Sequence, residues 1–340
     1  MESQGTCADE ANILCQMVYG HVIYEVGKIA IEMGVFETLS EGGATCQSLA
    51  EKFSMSEVHL EKLLNSLCAL KLLKKTKTKE NDIYENMQVA SEYLVMDSPE
   101  SIVGVIKMSE HFKVDKKKMM ECLKNGEHIL SNEENIFNKM EHNEVACTNF
   151  HTAMESIAKT SYSLIKAIDF GQYKTLVDLG GSTGTIARQL AEDYPELDIT
   201  VLDLPEVIDL ASTLPANSNN RVKFVSGDIF KDDLPEADIY TLCHILLDWN
   251  DSSCDIILSK IYKHLKPGGA ILILDSILNE DKVGPLYLNI REMMLFTRFQ
   301  GKQRSFSEFE NLLAKNGFTN IKLYRANKFC LYDGILARKN

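Results

Sequence analysis

The chain has 340 residues, enough for two domains or one large one, and 45% of them are hydrophobic against 25% charged, the balance of an ordinary globular protein with a sizeable core. A net charge of −13 argues against a general binder of nucleic acid or anionic membrane, because counterion release needs clustered Lys and Arg and the one basic run, residues 74–79, is short and followed by Glu80. Nine scattered cysteines without a C-x-x-C pair argue against a disulfide framework or a zinc site, and there is neither a leader-like N-terminus nor a run of 18 apolar residues, so a reduced, cytoplasmic protein is expected.

In chain order, apolar residues recur at three and four from Ile13 through Met17, Val22, Val26 and Met33 to Phe36, the face of a long helix that Gly34 ends or bends. Thr45 is placed to cap a short helix over 46–53, and Ser54 with Glu57 fits a capping box for a second over 58–70. Leu72, Leu73 and a polar hairpin toward Ile83 and Tyr84 complete a helix-turn-helix with a wing. DNA reading is disfavoured, since Glu57 and Glu61 stand where a recognition helix presents basic or amide groups, and a dimerisation module is the preferred reading. Residues 105–170 read as helical, with Lys116 to Lys118 a solvated interruption and Gly126 a turn. From Phe150 a helix runs through Met154, Ile157 and Leu164 to Ile168, with Phe150 and Met154 on one face at i, i+4.

Residues 175–204 carry the main chemical signal. A buried strand over 176–179 leads into a turn with Gly180, Gly181 and Gly184, then a helix over 186–193 and a second strand over 199–202 that ends at Asp203. Three residues without side chains let backbone amides approach a ligand, and the helix start adds unpaired N–H groups. The glycines fall as G-G-x-x-G, an imperfect match to the dinucleotide fingerprint. An acid about 20 residues beyond the turn suits a ribose diol. Asp178, just before the turn, would repel a pyrophosphate but attract an amino group, which favours S-adenosylmethionine over a dinucleotide.

Beyond Asp203 the alternation continues: a helix over 207–211, a strand over 222–225 before Gly227 and Asp228, a strand over 238–242, a helix over 254–264, a turn at 266–269 and a strand over 270–274. Strands separated by helices imply a parallel sheet with right-handed crossovers, whose ligand lies beyond the carboxyl ends of the strands, where Gly180, Asp203, Asp228 and His244 all fall. A helix over 307–314 and two strands, 321–324 and 329–336, close the chain.

The motifs VDLGGSTGT, VLDLPEV, GDIFKDDLPEADIY, LLDW, KPGGAILILDSIL and GKQRSFSEF span most of the chain. With them it resembles the small-molecule O-methyltransferases that carry an N-terminal winged-helix dimerisation domain, and within these the hydroxyindole branch. The resemblance implies an α/β fold, a doubly wound, mostly parallel Rossmann-like sheet, with a dimerisation domain over 1–105, a helical pocket-lining segment over 106–170 and the S-adenosylmethionine domain over 171–340. It implies a homodimer acting on a small acceptor, with no metal, nucleic acid or membrane. Asp178, Gly180, Gly181 and Gly184 would hold the methionine end of S-adenosylmethionine. Asp203 and Leu204 would take the ribose, and Gly227, Asp228 and Ile229 would flank the adenine. His244 would contact the cofactor as a basic residue, or else be a satisfied core histidine.

The acceptor half departs from the family. Its general-base histidine is Leu247 here, and two supporting glutamates fall at Asp275 and Gln303. Asp248, Asp275 and Glu292 are the candidate substitutes, with Asp248 and Asp275 preferred, while Phe150, Met154, Asp248, Met293 and Thr297 are expected to bind the acceptor. Arg291 and Glu292, on a helix over 289–299, read as a solvated face. A lost base is worth about 10²–10⁴-fold, against roughly 7–11 kcal/mol available from positioning, so methyl transfer remains the preferred activity. O-methylation of an aromatic acceptor is favoured; N- or S-methylation of a small amine or thiol, and a non-catalytic cofactor-binding dimer, stay open.

Overall fold

A computed structural model of the chain describes residues 7–79, 81–109, 115–126, 144–214, 221–297, 300–326 and 332–340, which fall into two compact units, residues 1–107 and 108–340.

In the first unit α1 (Cys7–Glu32) stops where Gly34 turns left-handed, φ 72°, and α2 (Val35–Ser40) begins there. β1 (Ala44–Thr45) leads into α3 (Cys46–Phe53), whose expected cap is present: Thr45 Oγ1 accepts the Ser48 N–H at 3.1 Å. The expected capping box at Ser54 and Glu57 does not form. Ser54 is left-handed, φ 56°, and ends α3, while α4 (Glu57–Ala69) starts after Ser56 without a side-chain cap. A short link between two helices needs its reversing residue, and Ser54 is spent on the reversal. β2 (Leu73–Lys77) and β3 (Asp82–Asn86) form the expected antiparallel hairpin, to which β1 adds a third strand; α5 (Gln88–Tyr93) and α6 (Val103–Ser109) follow. Phe36, Leu49, Leu64, Leu67 and Tyr84 close the core beneath them. Burial of each such side chain contributes roughly 1.5–3 kcal/mol.

In the second unit Asp115 caps α7 (Lys116–Asn125), its Oδ1 accepting the N–H groups of Lys117 and Lys118. The three lysines therefore form a first helical turn rather than an interruption, and Gly126, φ 66°, ends the helix. The next helix, α8 (Glu144–Ile165), begins before Phe150.

The sheet is built from β4 (Thr175–Leu179), β5 (Asp198–Asp203), β6 (Val222–Ser226), β7 (Ala237–Cys243), β8 (Leu265–Asp275), β11 (Thr319–Tyr324) and β12 (Asp333–Arg338), in the order β11-β12-β8-β7-β4-β5-β6. β6, β5, β4, β7 and β8 run parallel, and β12 is antiparallel to both its neighbours. The 266–269 turn is absorbed into β8, with an irregular register between Ala237 and Ile239. The expected strand over 329–336 lies partly outside the described residues, and its described part is β12. Between the strands run α9 (Thr185–Asp193), α10 (Pro205–Thr213) and α11 (Asp251–His264). After β8 come β9 (Ile277–Leu278), α12 (Leu286–Leu295), β10 (Arg304–Ser305) and α13 (Phe306–Lys315), which starts with a capping box at Ser305 and Glu308. Apolar layers cover both faces of the sheet. From β4 the chain lays β5 and β6 on one side and β7 and β8 on the other, so strand order reverses at the β4/β7 junction, the place where open α/β sheets bind their ligands beyond the carboxyl ends of the strands.

Candidate functional site

The glycine turn sits at that junction. Gly180 and Gly184 have φ of 68° and 81°, which side chains rarely adopt, and Gly184 starts α9. A Cβ on Gly181 would lie 2.5 Å from Asp178 Oδ2, and one on Gly180 would collide with the Ile245 side chain. The turn is a cradle that any larger residue would fill. Asp178, 1% exposed, accepts the Thr241 hydroxyl at 2.6 Å. Burial lifts its carboxyl to about 7; the Thr241 bond offsets this in part and Asp203 adds to it. Asp203 ends β5 with Oδ2 on the Ser182 N–H and Oδ1 on the Leu204 N–H, both at 2.8 Å, and burial raises it as well. The Gly227 N–H bonds the Asp203 carbonyl at 2.9 Å. Asp228 is held low by Lys231, 2.6 Å away, and accepts the Phe230 N–H; Ile229 packs against the core beside it. A buried and a half-buried carboxylate, a turn with three glycines and no cation in the turn itself fit an amino-acid-bearing nucleoside and not a pyrophosphate.

Ile245, which touches the Gly180 turn, opens the loop that carries Leu247 and Asp248, so the second half of the site adjoins the first. Leu247 is buried. Asp248 is driven up to about 8 by burial and by Asp275, against the pull of Arg291. Asp275, at the end of β8 and 1% exposed, is lifted by burial to about 6 while Arg291 and the Ser276 N–H hold it down. Its Oδ1 takes that N–H at 2.7 Å, and its Oδ2 is buried without a partner.

Arg291 overturns its reading as a solvated residue. Its Nη2 donates to Ser276 Oγ at 2.9 Å and to Gln303 Oε1 at 3.2 Å, and its guanidinium lies 5.7 Å from the Tyr332 ring centre. Glu292 is likewise engaged, accepting the Gln303 N–H at 2.8 Å. The buried residues of α12 are Leu288 and Leu295, and positions 291 and 292 fall on that stripe at i+3 and i+4 from Leu288. That spacing was the available signal. Tyr332, also missed, meets His244 Nδ1 at 2.5 Å. Burial, reinforced by Arg291, pushes His244 down to about 3, so it is a neutral imidazole and not the expected basic residue. Thr241 and Ser182 carried no sequence signal, because their roles depend on which strand lies alongside.

Of the expected acceptor residues, Asp248 joins this cluster. Met293 is 37% exposed, Thr297 is buried with its hydroxyl on the Met294 carbonyl, and Phe150 and Met154 are half-buried on α8. The helix expected over 289–299 starts earlier, after Pro285, and positions 298 and 299 lie outside the described residues. Among the described residues no group of His, Cys, Asp and Glu is arranged to hold a metal ion, and no helix is long and apolar enough to cross a membrane.

A family model described as an O-methyltransferase domain matches residues 117–319, and one described as an O-methyltransferase dimerisation domain matches residues 15–96. The chain is similar to acetylserotonin O-methyltransferase of Gallus gallus, at 30% identity over 97% of this chain and 98% of that one. It is likewise similar to the Homo sapiens protein of that name, at 31% identity over 98% and 100%. Among solved structures it resembles human N-acetylserotonin methyltransferase in complex with SAM, with a TM-score of 0.83, 30% identity and both chains fully covered, at 100% each.

Proposed function

The chain belongs to the O-methyltransferase family and is an S-adenosylmethionine-dependent O-methyltransferase, and we propose that it methylates a hydroxyl on a small aromatic acceptor, of the hydroxyindole kind or near it. When bound, S-adenosylmethionine supplies a methyl group on an already activated sulfonium. Asp178 takes the amino group of its methionine end, above the turn of Gly180, Gly181 and Gly184. Asp203, steadied by the Ser182 and Leu204 amides, accepts the ribose hydroxyls, and Gly227, Asp228 and Ile229 border the base.

The chain's remaining task is to position a hydroxyl and remove its proton. We assign the proton to Asp275. The observation that carries this reading is its buried Oδ2, which meets no side-chain donor and, beyond the Ser276 N–H on Oδ1, has only the Leu247 N–H of the adjoining loop acting on the carboxyl, whose value of about 6 leaves it mostly ionised at neutral pH. Asp248, at about 8, then stays protonated and donates. Two buried acids pushed apart in this way suit opposite roles, although they titrate as a coupled pair.

The apolar face of α1 supports a homodimer: Leu14, Met17, Val18 and Tyr19 are all exposed, Met17 by 76%. Thiols outside any disulfide at Cys15, Cys46, Cys68, Cys122 and Cys254 support a reducing, cytoplasmic setting.

Methyl transfer to hydroxyindoles by wild type, Asp275→Asn and Asp248→Asn tests the assignment. The first variant should lose about 10²–10⁴-fold in kcat with cofactor affinity retained by calorimetry. The wild-type kcat/KM should rise with pH through about 6, as Asp275 ionises, and fall above about 8, as Asp248 loses its proton, with Arg291 and Arg304 the charges facing the pair. Undiminished turnover in a folded Asp275→Asn protein would refute the assignment.

A further inference from the structure

Three buried polar atoms without partners lie together in the acceptor half: Asp275 Oδ2, Arg291 Nε and Gln303 Nε2. Asp275 and Gln303 are 1% and 3% exposed. Their closeness follows from the bonds around them, since Arg291 reaches Gln303 Oε1 at 3.2 Å and Ser276, next to Asp275, at 2.9 Å. The set consists of one proton acceptor and two adjacent N–H donors. Arg291 makes no ion pair among the described residues, and its orientation is fixed by Ser276, Gln303 and the face of Tyr332.

From this arrangement, and resting on the O-methylation reading above, we infer that the preferred acceptor is a neutral hydroxyarene with a carbonyl oxygen beside the reacting hydroxyl: the hydroxyl donates to Asp275 Oδ2, and the carbonyl accepts from Arg291 Nε and Gln303 Nε2. The complement is two-sided, so a lone phenol satisfies only the acid and leaves both donors unpaired. The two groups of the ligand must be neighbours because the protein groups that meet them are. Charge excludes the carboxylate counterpart. Asp275, on which the Arg291 charge acts without a direct ion pair, already supplies the site's anion, and a further buried anion would face that carboxylate. The same geometry accounts for a site without the histidine base: drawing the carbonyl into charge-assisted bonds polarises the ring and acidifies the neighbouring hydroxyl. Arg291 and Gln303 thus act as specificity-determining residues, the first where composition alone reads a solvated helix face and the second where the family resemblance implies a glutamate.

The test is calorimetric binding of 2-hydroxyacetophenone, 4-hydroxyacetophenone, phenol and 2-hydroxybenzoate to the protein saturated with S-adenosylhomocysteine, with methyl transfer followed in parallel. The 2-isomer should bind roughly 10-fold or more tightly than the other three. Arg291→Met and Gln303→Leu should each remove that preference while leaving S-adenosylhomocysteine affinity intact, and Arg291→Lys should restore part of it. Equal binding of the two isomers, tighter binding of the benzoate, or a preference that survives in both variants would overturn the inference. A preference without methyl transfer would uphold the inference and sink the reading on which it rests.

Discussion

Asp178 is a carboxyl kept at about 7 by burial in a cradle whose proposed occupant is a cation, and the two facts are linked. An ammonium placed against it favours the ionised form, so binding should lower its value and release a proton. Near pH 7, where the carboxyl is about half protonated, S-adenosylmethionine should bind with release of up to about half a proton, and affinity should weaken as pH falls below about 7, because the carboxyl must first ionise. Calorimetry in two buffers of different protonation enthalpy measures this; heats independent of buffer would contradict the role given to Asp178. The residue itself was legible in the sequence from its place before the glycines. Its protonation state was not, because desolvation and the Thr241 bond come from β7, which is distant in the chain but adjacent in space.

At the scale of elements, the loop carrying Leu247 and Asp248 is held from below by the segment before α13. Arg304, 1% exposed, donates to the Leu246 carbonyl at 2.9 Å, to the Trp249 carbonyl at 2.9 Å and to Asp251 at 2.7 Å. Gly301 lies so close that a Cβ there would collide with the Leu247 backbone. Arg304→Met should therefore strand the Leu246 and Trp249 carbonyls, while Asp251, more than half exposed, keeps Lys302 and water, lowering unfolding free energy by on the order of 2 kcal/mol in chemical denaturation and reducing kcat with it. An unchanged denaturation midpoint would show that the loop is held by other contacts. Within elements the helix caps divide in the same way. Thr45 was readable because its cap is local, whereas Ser54 was misread because the reversal after α3 claimed it. On α12 the charged pair looked solvated by composition, although its spacing from Leu288 and Leu295 put it on the buried stripe.

At the scale of the whole molecule, the reversal of strand order between β4 and β7 brings the carboxyl ends of five strands to one edge of the sheet, where residues from Asp178 to Asp275 stand beside the proposed ligands. The first unit contributes an apolar helix face with no function inside its own core. If that face joins two copies, Leu14→Glu with Met17→Glu should yield a monomer by light scattering. A dimer that persisted would assign the contact to another surface.

Periodicity and glycine placement determined the α/β order, the cofactor turn and the acids at the strand ends, because those signals are local and repeat along the chain. The sequence also exposed the loss of the histidine at Leu247. Only the tertiary structure showed which polar groups gather in the acceptor half of the site. Arg291, Gln303 and Asp275 come from a helix, a loop and a strand end, and their burial and mutual bonding set both their charge and their unpartnered atoms. Electrostatics of that kind depends on distance and desolvation in three dimensions, which spacing along the chain does not encode.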